Sequence, residues 1–144
     1  MEKKSVQENK TSAIVAELKA KEKAEPIASF LKMRLLELSE GYSKVAMKVA
    51  PEHRNFNGLT FGGIIAAVAD QAFAYACNSA SYPSIASQFN IHFIAGPGEN
   101  DELIAEGRVV RSGKRVGLTD ITVTNQEGKL IAKATGTSIP VNRD

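Results

Sequence analysis

The sequence predicts an α+β fold in which long antiparallel strands curl around one central helix. Two observations carry this. In residues 61–79, "FGGIIAAVADQAFAYACNS", nearly every side chain from Phe61 to Cys77 is small or apolar, the exceptions being Asp70, Gln71 and the Tyr75 hydroxyl, and a helix that is apolar on every side has to be wrapped by other structure. Five other stretches read as strands, and no helical pattern separates the last three, so these should be antiparallel neighbours.

Taken in order, residues 1–25 are dense in Lys and Glu, and "SAIVAELKAKEKA" sets Ile14, Val15 and Leu18 at helical spacing as a thin apolar stripe. This predicts a charged helical extension or tail ahead of a domain at 26–144. Pro26 suits the first turn of a second helix. "PIASFLKMRLLELSEG" continues it, with Ile27, Phe30, Leu31, Leu35 and Leu38 as its buried face and Gly41 as its C-terminal cap. "YSKVAMKVAP" alternates through Val45, Met47 and Val49 and is the first strand. The loop "PEHRNFNGLT" leads into the central helix. "IASQFNIHFIA" is the second strand, with Ile85, Phe89, Ile91 and Phe93 on one face and His92 on the other. "ELIAEGRVVR", "RVGLTDITVTN" and "KLIAKATGTSI" complete a five-stranded sheet, the last two joined by the turn "NQEGK".

Composition narrows the function classes. The chain has 144 residues, enough for one domain with a real core, and a net charge of +2 gives no argument for nucleic acid. A single cysteine, Cys77, excludes an internal disulfide, and two distant histidines without a CxxC give no zinc spacing. The apolar helix carries Asp-Gln at its centre, which argues against a membrane span, and "MEKKSVQENK" lacks the apolar run of a signal peptide. A cytoplasmic location is the expectation. There is no GxSxG elbow and no Walker loop. Cys77 reads as a small buried hydrophobe and not a nucleophile.

Asp70 is the residue that needs explaining. Its helical neighbours Ala66, Ala67, Phe73 and Ala74 include no cation. The carboxylate must therefore be paired across space, raised in pKa, or placed at a wet site; a bond to a backbone amide is the plain structural alternative. At the helix start, "GLTFGG" offers free amides, the positive end of the helix dipole and close backbone access, which together suit an oxyanion. Asp70 lies roughly 10–12 Å from that start by helical rise. An antiparallel twofold neighbour would bring one chain's Asp70 to the other's helix start, which motivates a site shared between subunits.

"HRNFNGLTFGGIIAAVADQAFAYACNS" resembles the hotdog-fold acyl-CoA thioesterases of the PaaI-like, phenylacetyl-CoA type. The pattern of that group runs H-x-N-x-x-G-x-x-H-G-G into an apolar helix with L-A-D. Here it reads His53, Asn55, Gly58, Phe61, Gly62, Gly63 and Val68-Ala69-Asp70, ungapped from Asn55 to Asp70, and the likeness extends over about residues 27–140. The resemblance implies a hotdog fold, a homodimer with shared active sites paired into a tetramer, and hydrolysis of an aryl- or medium-chain acyl-CoA. No metal or redox cofactor is implied, since coenzyme A arrives as part of the substrate. Asp70 matches the catalytic carboxylate, as general base or nucleophile. Gly62 matches the amide that polarises the thioester carbonyl. Asn55 matches the side chain that positions water or carbonyl. His53, Phe61, Gly63 and Ser87 would contact substrate, with Ser84 an alternative to Ser87. Phe61 departs from the His of many members.

Arg108, Arg111, Lys114 and Arg115 surround the turn "RSGKR". They read either as a solvated hairpin tip or as a site for the coenzyme A phosphates. Phe61, Phe73, Tyr75 and Tyr82 are candidates to line an acyl pocket. Two rival readings are a hotdog hydratase or dehydratase, which needs a carboxylate–histidine pair, and a non-catalytic acyl-CoA binder.

Overall fold

The computed structural model describes residues 2–141. Their order is α1 (Glu2–Lys23), α2 (Pro26–Leu31), β1 (Arg34–Ser39), β2 (Tyr42–Lys48), a 3-10 turn at Pro51–His53, α3 (Gly62–Ala80), β3 (Ser84–Phe93), β4 (Glu102–Ser112), β5 (Gly117–Thr124) and β6 (Leu130–Pro140). The strands form one antiparallel sheet in the order β1-β2-β4-β5-β6-β3, curled over α3 as expected of a hotdog fold. Val68, Ala69, Ala72, Phe73 and Ala76 of α3 are fully buried against Met47, Leu103, Ile121 and Ile131 of the sheet and its borders. Burying each large side chain of this set is worth about 1.5–3 kcal/mol.

The sheet has six strands, not five, because residues 26–41 are not one helix. The helix stops at Lys32, whose φ of 55 closes α2 in the left-handed region. Leu35 and Leu38 then lie on β1, where pairing with β2 overrides the helical preference of Leu. Leu38 is still buried, packing with Leu18 and Tyr75. Gly41 is a hairpin residue and not a helix cap: its φ is +75, and its N–H donates to Ser79 Oγ at 2.9 Å.

A second correction concerns β3. Its register with β6 shifts between Ala86 and Gln88. The extra residue at the bulge reverses the alternation, so Ile85, opposite Ile139, lies on the outer face, whereas Phe89, Ile91 and Phe93 face α3. His92 is exposed on the outer face, as read from the sequence. The charged N-terminal segment is helical from Glu2 to Lys23, and Leu18 docks it onto Tyr75 and Leu38. Among the described residues no helix is long and apolar enough to cross a membrane.

Two glycines let α3 lie close to the sheet. A Cβ on Gly107 would stand 2.7 Å from the Ala72 carbonyl oxygen, and one on Gly136 would stand 2.6 Å from the Phe73 ring. Ala72 O also accepts a buried hydrogen bond from Ser43 Oγ at 2.5 Å. We predict that Gly107→Ala lowers stability by about 1–3 kcal/mol, the usual cost of overpacking. Urea titration should show the midpoint falling; an unchanged midpoint would mean that helix and sheet part easily.

Candidate active site

The face of α3 turned away from the sheet is a strip of small residues. Gly63 and Asp70 are exposed on it, and Ala66, Ala67, Ala74 and Asn78 are half-buried. Asp70 stands mid-strip with no recorded hydrogen bond or ion pair among the described residues. The protein packed around it still strips water from its carboxyl and raises its pKa above the ordinary 3.8. Two of the three options left by the sequence therefore hold together, a raised pKa and a partly wet site, and the carboxylate is not bonded to a backbone amide among the described residues.

The start of α3 is uncapped. Phe61 is the N-cap residue and provides no side-chain hydrogen bond. Gly62 and Gly63 are the first two helical residues, whose N–H groups have no intrahelical acceptor. Aromatic rings press on both: the Phe93 ring lies 3.2 Å from where a Gly62 Cβ would be, and the Phe61 ring lies over Gly63. A side chain at either position would have to displace a phenylalanine ring, and the rings give the amides apolar walls. A cavity of about 240 Å³ opens here, lined by Asn55, Thr60, Gly62, Ile65, Phe93 and Ile94 among others. Asn55 and the Gly62 amide therefore share a cavity within one chain. Asp70 does not join them: eight residues of helix separate it from Gly62, about 12 Å.

Residues 57–132 match the thioesterase superfamily. The chain belongs to that superfamily. It is 35% identical over 111 residues to the acyl-coenzyme A thioesterase PaaI of Escherichia coli, covering 77% of this chain and 79% of that one. The solved structure of E. coli PaaI, from a phenylacetic acid degradation operon, superposes with a TM-score of 0.84 at 31% identity over 92% of this chain and 94% of that one. A Streptococcus mutans protein solved with acetyl-CoA bound superposes with a TM-score of 0.73 at 27% identity, over 77% and 90% of the two chains. The protein is a thioester hydrolase of the hotdog fold.

In this thioesterase Asn55 has a structural task as well. Its Oδ1 accepts the N–H groups of Asn57 (2.9 Å) and Leu59 (3.2 Å), and Gly58 closes the turn at a φ of +74. The same turn recurs at Asn125, whose Oδ1 accepts from Glu127 (3.0 Å) and Lys129 (2.9 Å), with Gly128 at a φ of +80. The two segments, "NFNGL" and "NQEGK", share the pattern N-x-x-G, which was there to be read. What distinguishes Asn55 is its NH₂ group, for which no partner is recorded among the described residues. The Asn125 NH₂ is turned towards Asp101 Oδ2, 3.4 Å away.

The other candidates scatter. His53 accepts the Ala50 N–H on Nδ1 at 3.0 Å and so helps shape the loop before Asn55. Ser87 sits in the β3 bulge, its Oγ donating to Thr137 O at 3.3 Å. Counting along strand and helix from the Asn78–Ser84 contact places it at about the height of Asp70. Ser84 is committed to the end of α3, donating its N–H to Asn78 Oδ1 (2.8 Å) and its hydroxyl to Ser81 O (2.5 Å). The basic turn is not beside Gly62 within the chain. Phe93, next to Gly62, pairs with Ala132, whereas Gly117, next to the turn, pairs with Ser138 at the other end of β6. Arg108 is held by Glu106 at 3.0 Å and stacks over Tyr42 at 4.7 Å; Arg111, Lys114 and Arg115 are exposed. Cys77 is buried, and burial pushes its thiol up to about 11, as suits an inert core residue.

Sequence reasoning missed Glu25. Its two carboxylate oxygens accept from Gln71 Nε2 and Tyr75 OH, each at 2.5 Å, and burial with that bond drives the Tyr75 pKa upward. Two further polar groups of the central helix, Gln71 and the Tyr75 hydroxyl, are thus answered from the N-cap of α2. Phe93 was read only as a core residue, and no local signal tied it to Gly62.

Asn55→Asp separates the turn role from a donor role expected of the NH₂ group. It keeps the turn's acceptor and removes the NH₂ donor. We predict a thermal midpoint close to wild type with thioesterase activity reduced on the order of 10–10³, as for loss of one positioned donor. Asn55→Ala should lose both activity and loop stability. Full activity in Asn55→Asp would leave the side chain a turn residue only.

Proposed function

We propose that the protein hydrolyses acyl-CoA thioesters, with an aryl or medium-chain acyl group, to the free acid and coenzyme A. The observation that carries this reading is the uncapped helix start, with glycine amides walled by phenylalanine rings beside the Asn55 NH₂. It is a neutral donor set aimed at a small cavity, as a thioester oxyanion requires. The name of the E. coli relative and the acetyl-CoA bound to the S. mutans protein support the substrate class.

The working unit is a twofold dimer. One chain contributes Asp70, and the other the Gly62 amide and Asn55. Support comes from the exposed small-residue strip on α3 and from β3, an edge strand with one side unpaired and Phe93 half exposed at its end. The Asp70 carboxylate takes a proton from water as the water oxygen attacks the thioester carbon. Alternatively it attacks that carbon itself, and water then opens the mixed anhydride. In both cases the carbonyl oxygen gains the negative charge next to the amides, and the C–S bond breaks to release the thiolate, which is then protonated. Lys114 and Arg115, with Arg111, bind the nucleotide phosphates. The hydratase reading is not favoured: His53 is tied to Ala50, and His92 stands on the outer sheet face.

Either role needs ionised Asp70. We predict that Asp70→Asn folds and loses on the order of 10²–10⁴ in kcat. The wild-type pH–rate profile should show an acid limb above pH 3.8, absent from the residual rate of the variant. The folded-state pKa lies above the unfolded one, so ionisation costs the fold stability. That cost is complete above the raised value and disappears below the ordinary one. Asp70→Asn should therefore melt higher than wild type at pH 7, with the gap closing in acid. A kcat within about threefold of wild type would refute the assignment.

Mixing Asp70→Asn chains with Asn55→Ala chains tests the shared site. A heterodimer, verified by tags, should place both substitutions in one site and leave the other intact. We expect up to about half the wild-type rate per heterodimer by this symmetry. Verified heterodimers that stay inactive would place each site within one chain.

The double substitution Lys114→Ala with Arg115→Ala should raise KM for acyl-CoA more than it lowers kcat, and should leave a short thioester without the nucleotide nearly unaffected. Equal effects on both substrates would remove the phosphate role.

A further inference from the structure

A second cavity borders the Asp70 strip. It has a volume of about 320 Å³ and lies between α1 and the C-terminal half of α3, lined by Leu18, Gln71, Ala74, Tyr75, Asn78 and Tyr82 among others. Ala74 and Asn78 are one and two turns beyond Asp70 on the same side of the helix. A chain attached at a thioester carbon beside Asp70 and running towards the end of α3 would enter this cavity directly.

Among the polar groups at its wall, Lys21 pairs with Glu17 Oε1 at 3.9 Å, outside the cavity, and others are engaged within it. Tyr75 OH and Gln71 Nε2 both donate to Glu25. Asn78 Nδ2 donates to Ala74 O at 2.8 Å, and its Oδ1 accepts the Ser84 N–H. Leu18, Ala74, the Tyr75 ring and Pro83 supply apolar surface. Such a wall accepts a hydrocarbon without leaving a donor stranded, and it offers little to a polar substituent. Its size is near the lower end of the roughly 300–1,000 Å³ usual for small-molecule pockets, which suits a medium-length group over a long fatty chain.

We propose that this cavity is the acyl chamber, that the substrate is a medium-length, apolar acyl thioester, and that α1 is the wall that sets the length accepted. The proposal rests on the thioesterase reading of Asp70. It gives the charged N-terminal helix a role in specificity: α1 meets the chamber through Leu18, its one buried residue, and Lys21.

Two variants act in opposite directions. Ala74→Leu puts a helix-compatible side chain into the chamber and should lower the kcat/KM of octanoyl-CoA relative to acetyl-CoA by about tenfold or more, the scale of a methylene misfit in an apolar pocket. Leu18→Ala should raise dodecanoyl-CoA relative to octanoyl-CoA. Ratios within about twofold of wild type in both variants would overturn the proposal. Calorimetric titration with octanamide, neutral so that Asp70 does not repel it, gives a readout without catalysis. Wild type should bind it, and Ala74→Leu should bind it about tenfold more weakly. Failure of wild type to bind, or equal binding by Ala74→Leu, rejects the chamber. Wild type that binds octanamide but releases no thiol from any acyl-CoA would reject the thioesterase reading and keep the chamber.

Discussion

The seating of α3 on the sheet fixes everything else. Ala72 is pinned twice, by the Ser43 hydroxyl on its carbonyl and by the bare backbone of Gly107 beneath it. Successive helical residues turn by about 100°, so Asp70, two positions earlier, is thrown to nearly the opposite side. Gly63, Ala67 and Ala74 fall on that side too, while Gln71 and Tyr75 point sideways to Glu25. The exposure of the carboxylate follows from the burial of its neighbours. A single contact, carbonyl against glycine, thereby orients the chemistry.

Much of this could be read in the sequence, and the failures share one cause. The central helix, the later strands and the Asp70–Gly62 relation all rest on periodicity and helical rise, which are local. The helix misread over Arg34–Ser39 is a tertiary override. "RLLELS" has ordinary helix formers, and only the partner strand β2 makes it a strand. The face of Ile85 was lost to a bulge that depends on β6. Glu25 finds Gln71 and Tyr75 across 46 and 50 residues, a separation at which charge and spacing carry no signal.

Asn55 shows how one residue of a motif can be required by architecture and also be a candidate for chemistry. The pattern N-x-x-G builds the same turn at Asn125, between β5 and β6. The Asn55 oxygen is therefore accounted for by architecture alone. Its NH₂ is not, and it lines the same cavity as Gly62. In the proposed site the loop would present one half of the amide by immobilising the other half, which lowers the entropy lost when a donor meets an oxyanion.

The same logic explains why a carboxylate is tolerable in an apolar helix. Within one chain Asp70 is half-way along α3, where the helix dipole offers it nothing, and the surrounding protein raises its pKa. In the proposed dimer the positive start of the facing α3 approaches it, with uncapped amides and no competing carboxylate among the residues lining that cavity. That neighbour favours the ionised form and offsets part of the desolvation, leaving the pKa raised. The interaction works in both directions, because the same amides that await an oxyanion also hold Asp70 ready to lose its proton. On this proposal assembly supplies charge balance as well as geometry, because within one chain Asp70 and Gly62 stand about 12 Å apart along α3.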